Sequence, residues 1–383
     1  MAATVLLTGA SGFIGRELLW RLVRRPDTRV YCLLRADDDS IAKSRLEAIL
    51  DAAQPTPLTS EECARAIPLR GDLTLERIGL TESQWQQLAA EVDRILHGAA
   101  SVAFHLSIDE SRRVNVEGTR RMLQLAKATA QHRLTRFDYI STCYVCGKRA
   151  GLIGEEDLAQ GQGQSFNNNY ERSKCEAEAL VRAHRNEVPI SIFRPPMVVG
   201  DSRTGYAATF KVMYWPLKMM SRGYVWVVPG DAQGVVDVVP VDYVCDALEF
   251  ISADPAQRGK CFHLAAGREH STTLGQCLDL AVAAFEVRRP LLMNPVLFRS
   301  LVRPLLKLVF WGKRRELLNK GKVYAPYIAY RAQFDTSQAR AALSGSGIEV
   351  FPVASYFRKV VEYAVATDWG KRLHAGVQAP TAV

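Results

Sequence analysis

Short apolar runs alternate with amphipathic stretches along the first 200 residues of the chain. The six apolar runs are "TVLLTG", "RVYCLLR", "AIPLRGDL", "RILHGAA", "RFDYISTCYV" and "PISIFRPPMVVG". A parallel strand that is buried on both faces gives such a continuous apolar run, and the crossover helix that follows it gives the amphipathic stretch. The pattern therefore predicts an α/β fold with a doubly wound parallel sheet between two layers of helices.

The regular alternation weakens after Gly205. Two later stretches, "DVVPVDYVCDALEFI" and "KCFHLAAG", have the pattern of a return to the sheet. The remaining stretches are mainly helical or irregular in pattern. We therefore expect a sheet domain made of residues 1–205 and 230–268, and a smaller, mainly helical C-terminal lobe for substrate binding made of residues 206–229 and 269–383.

Three glycines stand between the first strand and the first helix in "TGASGFIG". Residues without side chains let the backbone approach a pyrophosphate, and the N-terminus of the next helix offers free N–H groups. A glycine triplet alone is a weak signal, but at the first turn of a repeated βα pattern it indicates a Rossmann-type dinucleotide site. The residues predicted to line this turn are Gly9, Ser11, Gly12, Phe13, Ile14 and Gly15.

The end of the second strand bears on the choice of cofactor. Arg35 follows Gly15 by twenty residues. At this place an NAD site has a carboxylate for the ribose hydroxyls, whereas an NADP site has an arginine for the 2′-phosphate. Arg35 therefore favours NADPH. Asp37, Asp38 and Asp39 leave NAD open, because one of these carboxylates could fold back onto the ribose.

Further cofactor contacts are expected after the later strands, because open α/β sheets bind their ligands at the carboxyl ends of the strands. Asp72, after the third strand, is either an adenine contact or a turn residue. The other predicted contacts are Leu73, Ala99, Ala100, Ser141, Tyr170, Lys174, Pro195 and Val198.

A tyrosine and a lysine four residues apart begin the helical pattern "NNNYERSKCEAEALVR". This spacing places Tyr170 and Lys174 on one face of the helix. Thr142 lies at the carboxyl end of the fifth strand, where it can reach the same ligand. Together these three residues are the candidate catalytic group.

Two other pairs have the same spacing, Tyr144/Lys148 and Tyr214/Lys218. Tyr144 lies on a predicted strand, and Pro216 follows Tyr214 closely. A proline removes a hydrogen bond from a helix. We therefore expect neither pair to share an uninterrupted helical face.

A tyrosine at position 170 can protonate a carbonyl oxygen as a hydride reaches the carbon. Free tyrosine titrates near 10, and the ammonium of Lys174 together with an oxidised nicotinamide is expected to lower the pKa of Tyr170. Thr142 would donate a second hydrogen bond to the developing oxyanion. Lys174 would also hold the ribose of the cofactor.

Five motifs together resemble an extended short-chain dehydrogenase/reductase over about the first 250 residues: "TGASGFIG", "NVEGT", "STCYVCG", "YERSK" and "RPPMVVGDSRTG". The resemblance implies Thr142, Tyr170 and Lys174 as the catalytic trio and Asn115 as a fourth member. It also implies that the segment beginning at residues 194–195 passes the nicotinamide.

Within that superfamily the chain is most similar to thioester reductases and fatty acyl-CoA reductases. The motifs that carry this likeness are "CLLRA", "GDL", "GDSRTG" and, more loosely, the distal "VYAPYIAYRAQFDTSQARAAL". The likeness implies an NADPH-dependent reduction of an acyl thioester, carried by CoA or by an acyl carrier protein, to the aldehyde or further to the alcohol. Cys143 and Tyr144 stand where sugar-nucleotide dehydratases have acidic residues, which disfavours dehydration.

Two other functions stay open. An epimerase or a dehydrogenase of a sterol-like alcohol would prefer NAD(H) or keep its cofactor bound through turnover, and Arg35 disfavours the first of these properties. A non-catalytic NADPH-binding regulator would have no need of a threonine, a tyrosine and a lysine at these places.

The net charge of +9 is concentrated in residues 288–322, which hold ten basic side chains and one acidic side chain. "PVLFRSLVRPLLKLVFWGKRR" has apolar pairs every four residues with cations between them, although Pro304 is expected to interrupt a single helix. Three interpretations stay open: a solvated basic face over core packing, peripheral membrane contact through residues 290–315, or docking of an acidic partner such as a carrier protein or the phosphates of CoA. Nucleic acid is disfavoured, because no nucleic-acid-binding module accompanies the charge.

The eight cysteines do not form the pattern of a disulfide framework. Cys143 and Cys146 form a CxxC, but no second cysteine or histidine pair stands at zinc spacing, so we predict buried thiols and no metal site. The first strand begins at Thr4, which leaves no room for a signal peptide. We therefore expect a cytoplasmic protein, with membrane association through the basic segment left open.

Overall fold

The computed structural model of the chain describes residues 3–52, 56–158, 165–210, 212–309, 312 and 330–372. Its strands are β1 Ala3–Thr8, β2 Thr28–Leu34, β3 Ala66–Arg70, β4 Arg94–His97, β5 Arg136–Ile140, β6 Gly151–Ile153, β7 Ile190–Arg194, β8 Met197–Val199, β9 Val227–Pro229, β10 Val235–Val236, β11 Val238–Pro240, β12 Cys261–His263, β13 Thr272–Thr273, β14 Leu291–Met293 and β15 Ala332–Phe334.

The α-helices of the described residues are α1 Phe13–Val23, α2 Asp39–Leu50, α3 Ser60–Ala64, α4 Glu82–Glu91, α5 Ile108–Asn115, α6 Glu117–Ala130, α7 Asn169–Ala183, α8 Tyr214–Ser221, α9 Val241–Ala253, α10 Gly267–His270, α11 Leu274–Phe285, α12 Pro295–Leu297, α13 Arg303–Val309, α14 Ser337–Ala342 and α15 Phe357–Ala366. Short 3₁₀ turns cover Glu76–Gly79, Cys143–Cys146, Pro255–Gln257 and Val353–Ser355, and Phe298–Val302 is a π-helical turn.

Seven parallel strands form the main sheet in the order β12-β7-β5-β4-β1-β2-β3. The order reverses between β1 and β4, and this reversal opens a crevice at the carboxyl ends of the strands. The predicted doubly wound α/β fold is therefore confirmed. Of the two stretches expected to return to the sheet, "KCFHLAAG" does so as the edge strand β12. "DVVPVDYVCDALEFI" forms α9 and β11, and β11 pairs with β8 outside the main sheet.

Both faces of the sheet are apolar, and each face packs against its own hydrophobic core. Val5 and Leu7 of β1 pack on the side of α1 and α9, while Leu6 packs on the side of α4, α6 and α7. Successive side chains of a strand point to opposite faces. This explains why the strands appear in the sequence as continuous apolar runs rather than as alternating ones.

A third core lies outside the main sheet. It joins α8, α11 and α15 with residues of β8, β10 and β11. The C-terminal region also returns to the sheet domain, because Ala339 and Leu343 pack in the core on the α1 side and β15 pairs with β6.

The basic segment continues as helical backbone from residue 295 to 309, although Pro304 lies within it. The π-helical turn just before the proline explains this continuity: the N–H of Arg303 donates to the carbonyl of Phe298, which shifts the hydrogen-bond register ahead of a residue without an N–H. Four leucines of this segment are more than half exposed: Leu297, Leu301, Leu305 and Leu308. Residues 310–311 and 313–322, the rest of the basic segment, and the beginning of "VYAPYIAY" lie outside the described residues.

A buried ion pair joins α7 to β7. Arg194 is fully buried, and its Nε donates to Oε2 of Glu178 at 2.9 Å. Burial alone would raise the pKa of Glu178, but the charge and hydrogen bonds of Arg194 lower it to about 2. The same carboxylate accepts a hydrogen bond from Ser141 at 2.6 Å, so the pair also holds the end of β5.

Replacing Glu178 with Gln should destabilise the protein by about 3–5 kcal/mol, because Arg194 would stay charged and buried without its counterion. Urea denaturation of the two proteins, followed by circular dichroism, measures the difference. The control is Glu269→Gln, since the ion pair of Glu269 with Arg340 is exposed and should contribute less than about 1 kcal/mol. Equal losses from both substitutions would contradict this account of the buried pair.

Candidate active site

The candidate site lies at the carboxyl edge of the main sheet, between β1 and β4, where the strand order reverses. Gly9, just after β1, has φ +83° and lies against the backbone of Gly98 and Ala99, so that a Cβ at Gly9 would come within 2.8 Å of the Ala99 nitrogen. Only a glycine can adopt this conformation here without strain.

The glycine turn has the shape that a pyrophosphate needs. The N–H of Gly12 donates to the carbonyl of Gly9 at 2.8 Å, and a Cβ on Gly15 would lie 2.1 Å from that same carbonyl oxygen. No side chain caps the N-terminus of α1, because its N-cap is Gly12. Ser11 and Gly12 are exposed. Free N–H groups at a helix N-terminus attract an anion, so the residues present fit a dinucleotide.

A cluster of arginines surrounds the end of β2. Arg35 is exposed, and its carbonyl accepts a hydrogen bond from Arg45 of α2. Arg70, the last residue of β3, donates to the carbonyl of Asp37 at 3.0 Å and lies 3.5 Å from the carboxylate of Asp39.

Two nearby aspartates accept hydrogen bonds from the backbone of the protein itself. Asp38 is the N-cap of α2, where its side chain accepts from the N–H of Ile41 at 2.8 Å. Asp72 accepts from the N–H of Thr74 at 2.8 Å, which is the turn role that the sequence left open. Leu73 is buried.

Tyr170 and Thr142 meet at the carboxyl end of β5. A hydrogen bond joins the two side chains. The ring of Tyr170 is partly exposed and contacts the edge of Phe104, with 5.9 Å between ring centroids. Burial and the charge of Glu171 raise the pKa of Tyr170 above its ordinary value, and the bond with Thr142 only partly opposes them. The phenol is therefore protonated at neutral pH.

The sequence led us to expect that Lys174, together with an oxidised nicotinamide, would lower this pKa, and the position of Lys174 explains why its ammonium alone does not. Its Nζ donates to the hydroxyl of Tyr139 and to the carbonyl of Ile140, each at 2.8 Å. The ammonium is thus bound to β5 rather than to Tyr170. Burial lowers the pKa of Lys174 to about 7, while the charge of Glu178 acts in the other direction.

Four other predicted residues are placed nearby with different surroundings. Ser141 is buried and gives its hydroxyl to Glu178. The carbonyl of Pro195 accepts from the N–H of Cys143 at 3.0 Å, directly after Thr142. Val198 lies on β8. Ala100 follows Ala99 on the loop after β4, and both are partly exposed.

Asn115 ties this loop to α7. Its Oδ1 accepts from the N–H of Ser101 at 2.8 Å, and its Nδ2 donates to the Ser101 carbonyl at 3.1 Å and to the Ser173 hydroxyl at 2.9 Å. Ser173 in turn donates to the carbonyl of Tyr170 at 3.0 Å. Asn115 therefore positions the groups around Tyr170.

One of the two rival tyrosine–lysine pairs does share a helix. Tyr214 and Lys218 both lie on α8, contrary to our expectation, because Pro216 falls in the first turn of that helix, where an N–H has no partner within the helix. The hydroxyl of Tyr214 is buried and accepts from the N–H of Gly200 at 2.8 Å. Local sequence therefore could not separate this pair from Tyr170/Lys174; its surroundings do.

The two cysteines of the CxxC are buried, as predicted. The thiol of Cys143 donates to the carbonyl of Arg194 at 3.0 Å, and the sulfur of Cys146 lies 2.9 Å from the hydroxyl of Tyr330. Burial raises the pKa of both thiols. Within the described part of the chain, His, Cys, Asp and Glu side chains form no group of three or more that could hold a metal ion.

Three residues near the site were missed in the sequence. The sequence indicates Arg45 and Arg70 only weakly: Arg70 ends a strand at the ligand edge of the sheet, and Arg45 lies on the helix that follows Arg35. Phe104 has no signal, because only the fold brings its loop against Tyr170.

A family model of NAD-binding proteins, described as male sterility protein, matches residues 7–248. The match covers the glycine turn, Thr142, Tyr170 and Lys174 in one stretch. The chain belongs to the thioester reductase group of the extended short-chain dehydrogenase/reductases. This confirms the family that the sequence motifs indicated.

Two curated relatives and one solved structure show the range of this family. A component of the linear gramicidin synthase of Brevibacillus parabrevis is 31% identical over 266 residues, which cover 68% of this chain but 5% of that component. Fatty acyl-CoA reductase 1 of Arabidopsis thaliana is 23% identical over 355 residues, 76% of this chain and 71% of that protein. The crystal structure of the terminal R domain from the myxalamid PKS-NRPS biosynthetic pathway aligns with a TM-score of 0.83 and 28% identity, over 96% of this chain and 92% of that one.

These relatives establish that the protein is an oxidoreductase with a site for a nicotinamide cofactor. The chain spans a small part of the length of the large synthases that it matches. Among the helices of the described residues, none is both long enough and apolar enough to cross a membrane.

Replacing Asn115 with Ala should loosen the loop of residues 98–107, because the backbone of Ser101 would lose both of its partners on Asn115. We expect exchange of the Ser101 amide to become about tenfold faster, because its own N–H loses one hydrogen bond. Hydrogen–deuterium exchange with mass spectrometry measures it. Asn294→Ala, which removes a helix cap elsewhere, should leave the loop unchanged, and an unaltered loop in Asn115→Ala would refute the positioning role.

Proposed function

We propose that the protein reduces acyl thioesters with NADPH, with Tyr170 and Thr142 at the carbonyl oxygen and Lys174 at the cofactor. One observation carries this proposal: the phenol of Tyr170 and the hydroxyl of Thr142 interact at the ligand edge of the sheet, where the Tyr170 side chain is partly exposed. A protonated phenol is the form that a carbonyl reduction needs, because the reaction must deliver a proton to oxygen.

The preference for NADPH is supported by the arginines at the end of β2. Arg35, Arg45 and Arg70 bring three guanidinium groups to the segment where an adenosine ribose would lie. Asp38 is occupied as a helix cap and Asp39 lies beside Arg70, so neither is placed as a free partner of ribose hydroxyls. A guanidinium binds a phosphate through paired hydrogen bonds.

The proposed substrate is an acyl group on the thiol of a carrier protein or of CoA. One curated relative is a fatty acyl-CoA reductase, and its name supports a CoA thioester. A similar solved structure is a thiolation-reductase di-domain from an archaeal non-ribosomal peptide synthetase, which supports a carrier-bound thioester. We assign the acyl chain to the lobe made of residues 206–229 and 269–383, because α8, α11 and α15 of this lobe share an apolar core with β8, β10 and β11.

The bound NADPH would supply the hydride that forms the new C–H bond at the thioester carbonyl carbon. Tyr170 gives its phenolic proton to the carbonyl oxygen, and Thr142 donates a second hydrogen bond to that oxygen as its charge develops. The product of this step is a hemithioacetal. Lys174 stays bound to β5 and offers its remaining N–H to the cofactor ribose.

The aldehyde forms when the hemithioacetal loses its thiol. The phenolate of Tyr170 takes back the hydroxyl proton, the C=O bond re-forms, and the C–S bond breaks. The leaving thiolate takes a proton from solvent. In balance, one thioester, one NADPH and one proton give one aldehyde, one thiol and one NADP⁺, and a second hydride transfer would give the alcohol.

Replacing Tyr170 with Phe should reduce the rate of NADPH oxidation by roughly 10² to 10⁴-fold, because the proton donor is lost while the ring remains. The assay uses a panel of acyl-CoAs and carrier-bound acyl groups, with products identified by mass spectrometry. The matched control is Tyr214→Phe, which removes the phenol of the other helical tyrosine–lysine pair and should keep the activity of the folded protein. If the wild-type protein binds NADPH but forms neither aldehyde nor alcohol from any thioester, the proposed function is refuted.

Replacing Arg35 with Ala should weaken NADPH binding by about tenfold or more and leave NADH binding within about twofold, because one charged hydrogen bond to the 2′-phosphate is lost. Fluorescence titration with each cofactor measures the ratio. Arg29→Ala is the control, since Arg29 lies at the opposite end of the same strand. Parallel losses for both cofactors in Arg35→Ala would argue against a 2′-phosphate site.

A further inference from the structure

A row of polar side chains crosses the centre of the main sheet. Thr8 of β1 pairs in register with His97 of β4, and His97 pairs with Tyr139 of β5. All three side chains are buried among apolar neighbours, where an unpaired polar group would be costly. Thr119 of α6 and Lys174 of α7 cover the row from the helical side.

The hydrogens of this row can be assigned because each hydroxyl has only one. Thr119 gives its hydrogen to the carbonyl of Asn115 at 2.6 Å. Its oxygen must therefore accept from its other partners, which are His97 Nε2 at 3.0 Å and the hydroxyl of Tyr139. Tyr139 donates to Thr119, so its own oxygen is left to accept from Lys174.

The same reasoning fixes the tautomer of His97. Nε2 carries the hydrogen, because it donates to Thr119, and Nδ1 is the acceptor. Nδ1 accepts from the hydroxyl of Thr8 at 2.7 Å, and the oxygen of Thr8 accepts from the N–H of Ala99 at 3.2 Å. Burial and the charge of Lys174 lower the pKa of His97 to about 3, which keeps the ring neutral and this pattern intact.

We infer that Tyr139, Thr119 and His97 are positioning residues that orient the ammonium of Lys174 and bind it to the glycine turn as one unit. The chain of hydrogen bonds runs from the backbone of Ala99, which lies against Gly9, to Nζ of Lys174. It joins the pyrophosphate end of the cofactor site to the nicotinamide end. The inference rests on the role proposed for Lys174.

This arrangement favours the charged form of Lys174. A phenol whose hydrogen is committed to Thr119 can only accept from the ammonium, and such a bond stabilises the protonated amine. The other titratable groups facing Lys174 are Glu178, one turn further along α7, and the neutral His97; Tyr170 and Cys175 act on Tyr139 from α7. Glu178 is shared with Arg194, so Tyr139 is the side-chain acceptor that Lys174 has on the sheet side, beside the backbone carbonyl of Ile140.

The test is the pH dependence of cofactor affinity in Tyr139→Phe. Removing the acceptor should lower the pKa of Lys174, so that the affinity is lost at lower pH than in the wild type. We expect the alkaline limb of the profile of cofactor affinity against pH to move to lower pH by about one unit, the equivalent of one hydrogen bond to a charged group. Fluorescence titration with NADPH at each pH gives this limb without requiring turnover.

A matched control and a rescue separate positioning from general stability. Tyr31→Phe removes another buried phenol of the sheet, one that bonds to Glu91, and should leave the limb in place. Thr119→Val removes the acceptor that orients Tyr139 and should move the limb in the same direction as Tyr139→Phe. Thr119→Ser keeps the hydroxyl and should leave the limb at its wild-type pH. If Tyr139→Phe does not fold, the Thr119 pair decides.

An alkaline limb that is unchanged in folded Tyr139→Phe, or a Thr119→Ser protein that behaves like Thr119→Val, would overturn the inference. The two proposals fail separately. A wild-type protein that reduces no thioester, but whose limb moves in Tyr139→Phe, would refute the proposed function alone. A wild-type protein that reduces thioesters with an immobile limb would refute the positioning chain alone.

Discussion

A buried ammonium is the constraint on which the site depends. Lys174 is almost completely excluded from water, and a charge in such a place must be hydrogen-bonded. Its two acceptors, Tyr139 and Ile140, belong to β5, so the helix that carries Lys174 has a fixed height over the sheet. The buried pair of Glu178 and Arg194 fixes the same helix two turns from Tyr170. The position of Tyr170 at the sheet edge follows from these contacts.

The side chains along α7 lie in two kinds of environment, which correspond to two different roles. Lys174 and Glu178 face the sheet and are buried, while Tyr170 lies in the first turn and is partly exposed beside Phe104. A group that meets a substrate must be accessible, and a group that orients it is better held in a rigid, satisfied network. Asn115 extends the rigid part to the neighbouring loop through Ser101 and Ser173.

The sheet and the glycine turn could be predicted from the sequence because both depend on local pattern. Continuous apolar runs indicate strands that are buried on both faces. Gly9 in the sequence indicates a tight turn, and its φ of +83° is one that other residues do not adopt there without strain. Side-chain partners depend on register and packing, which one sequence does not contain. The row of Thr8, His97 and Tyr139 needs three strands in register. For the same reason the bonds from Lys174 to β5 could not be predicted.

The most direct test of the account is the fate of the transferred hydrogen. The protein would be given NADPH labelled with deuterium at the transferable C4 position together with an acyl thioester, and the product would be analysed by mass spectrometry. The account predicts an aldehyde with one deuterium at the former carbonyl carbon, or an alcohol with two after a second transfer. A reduced product without deuterium at that carbon, or NADPH that is bound and never oxidised, would contradict it.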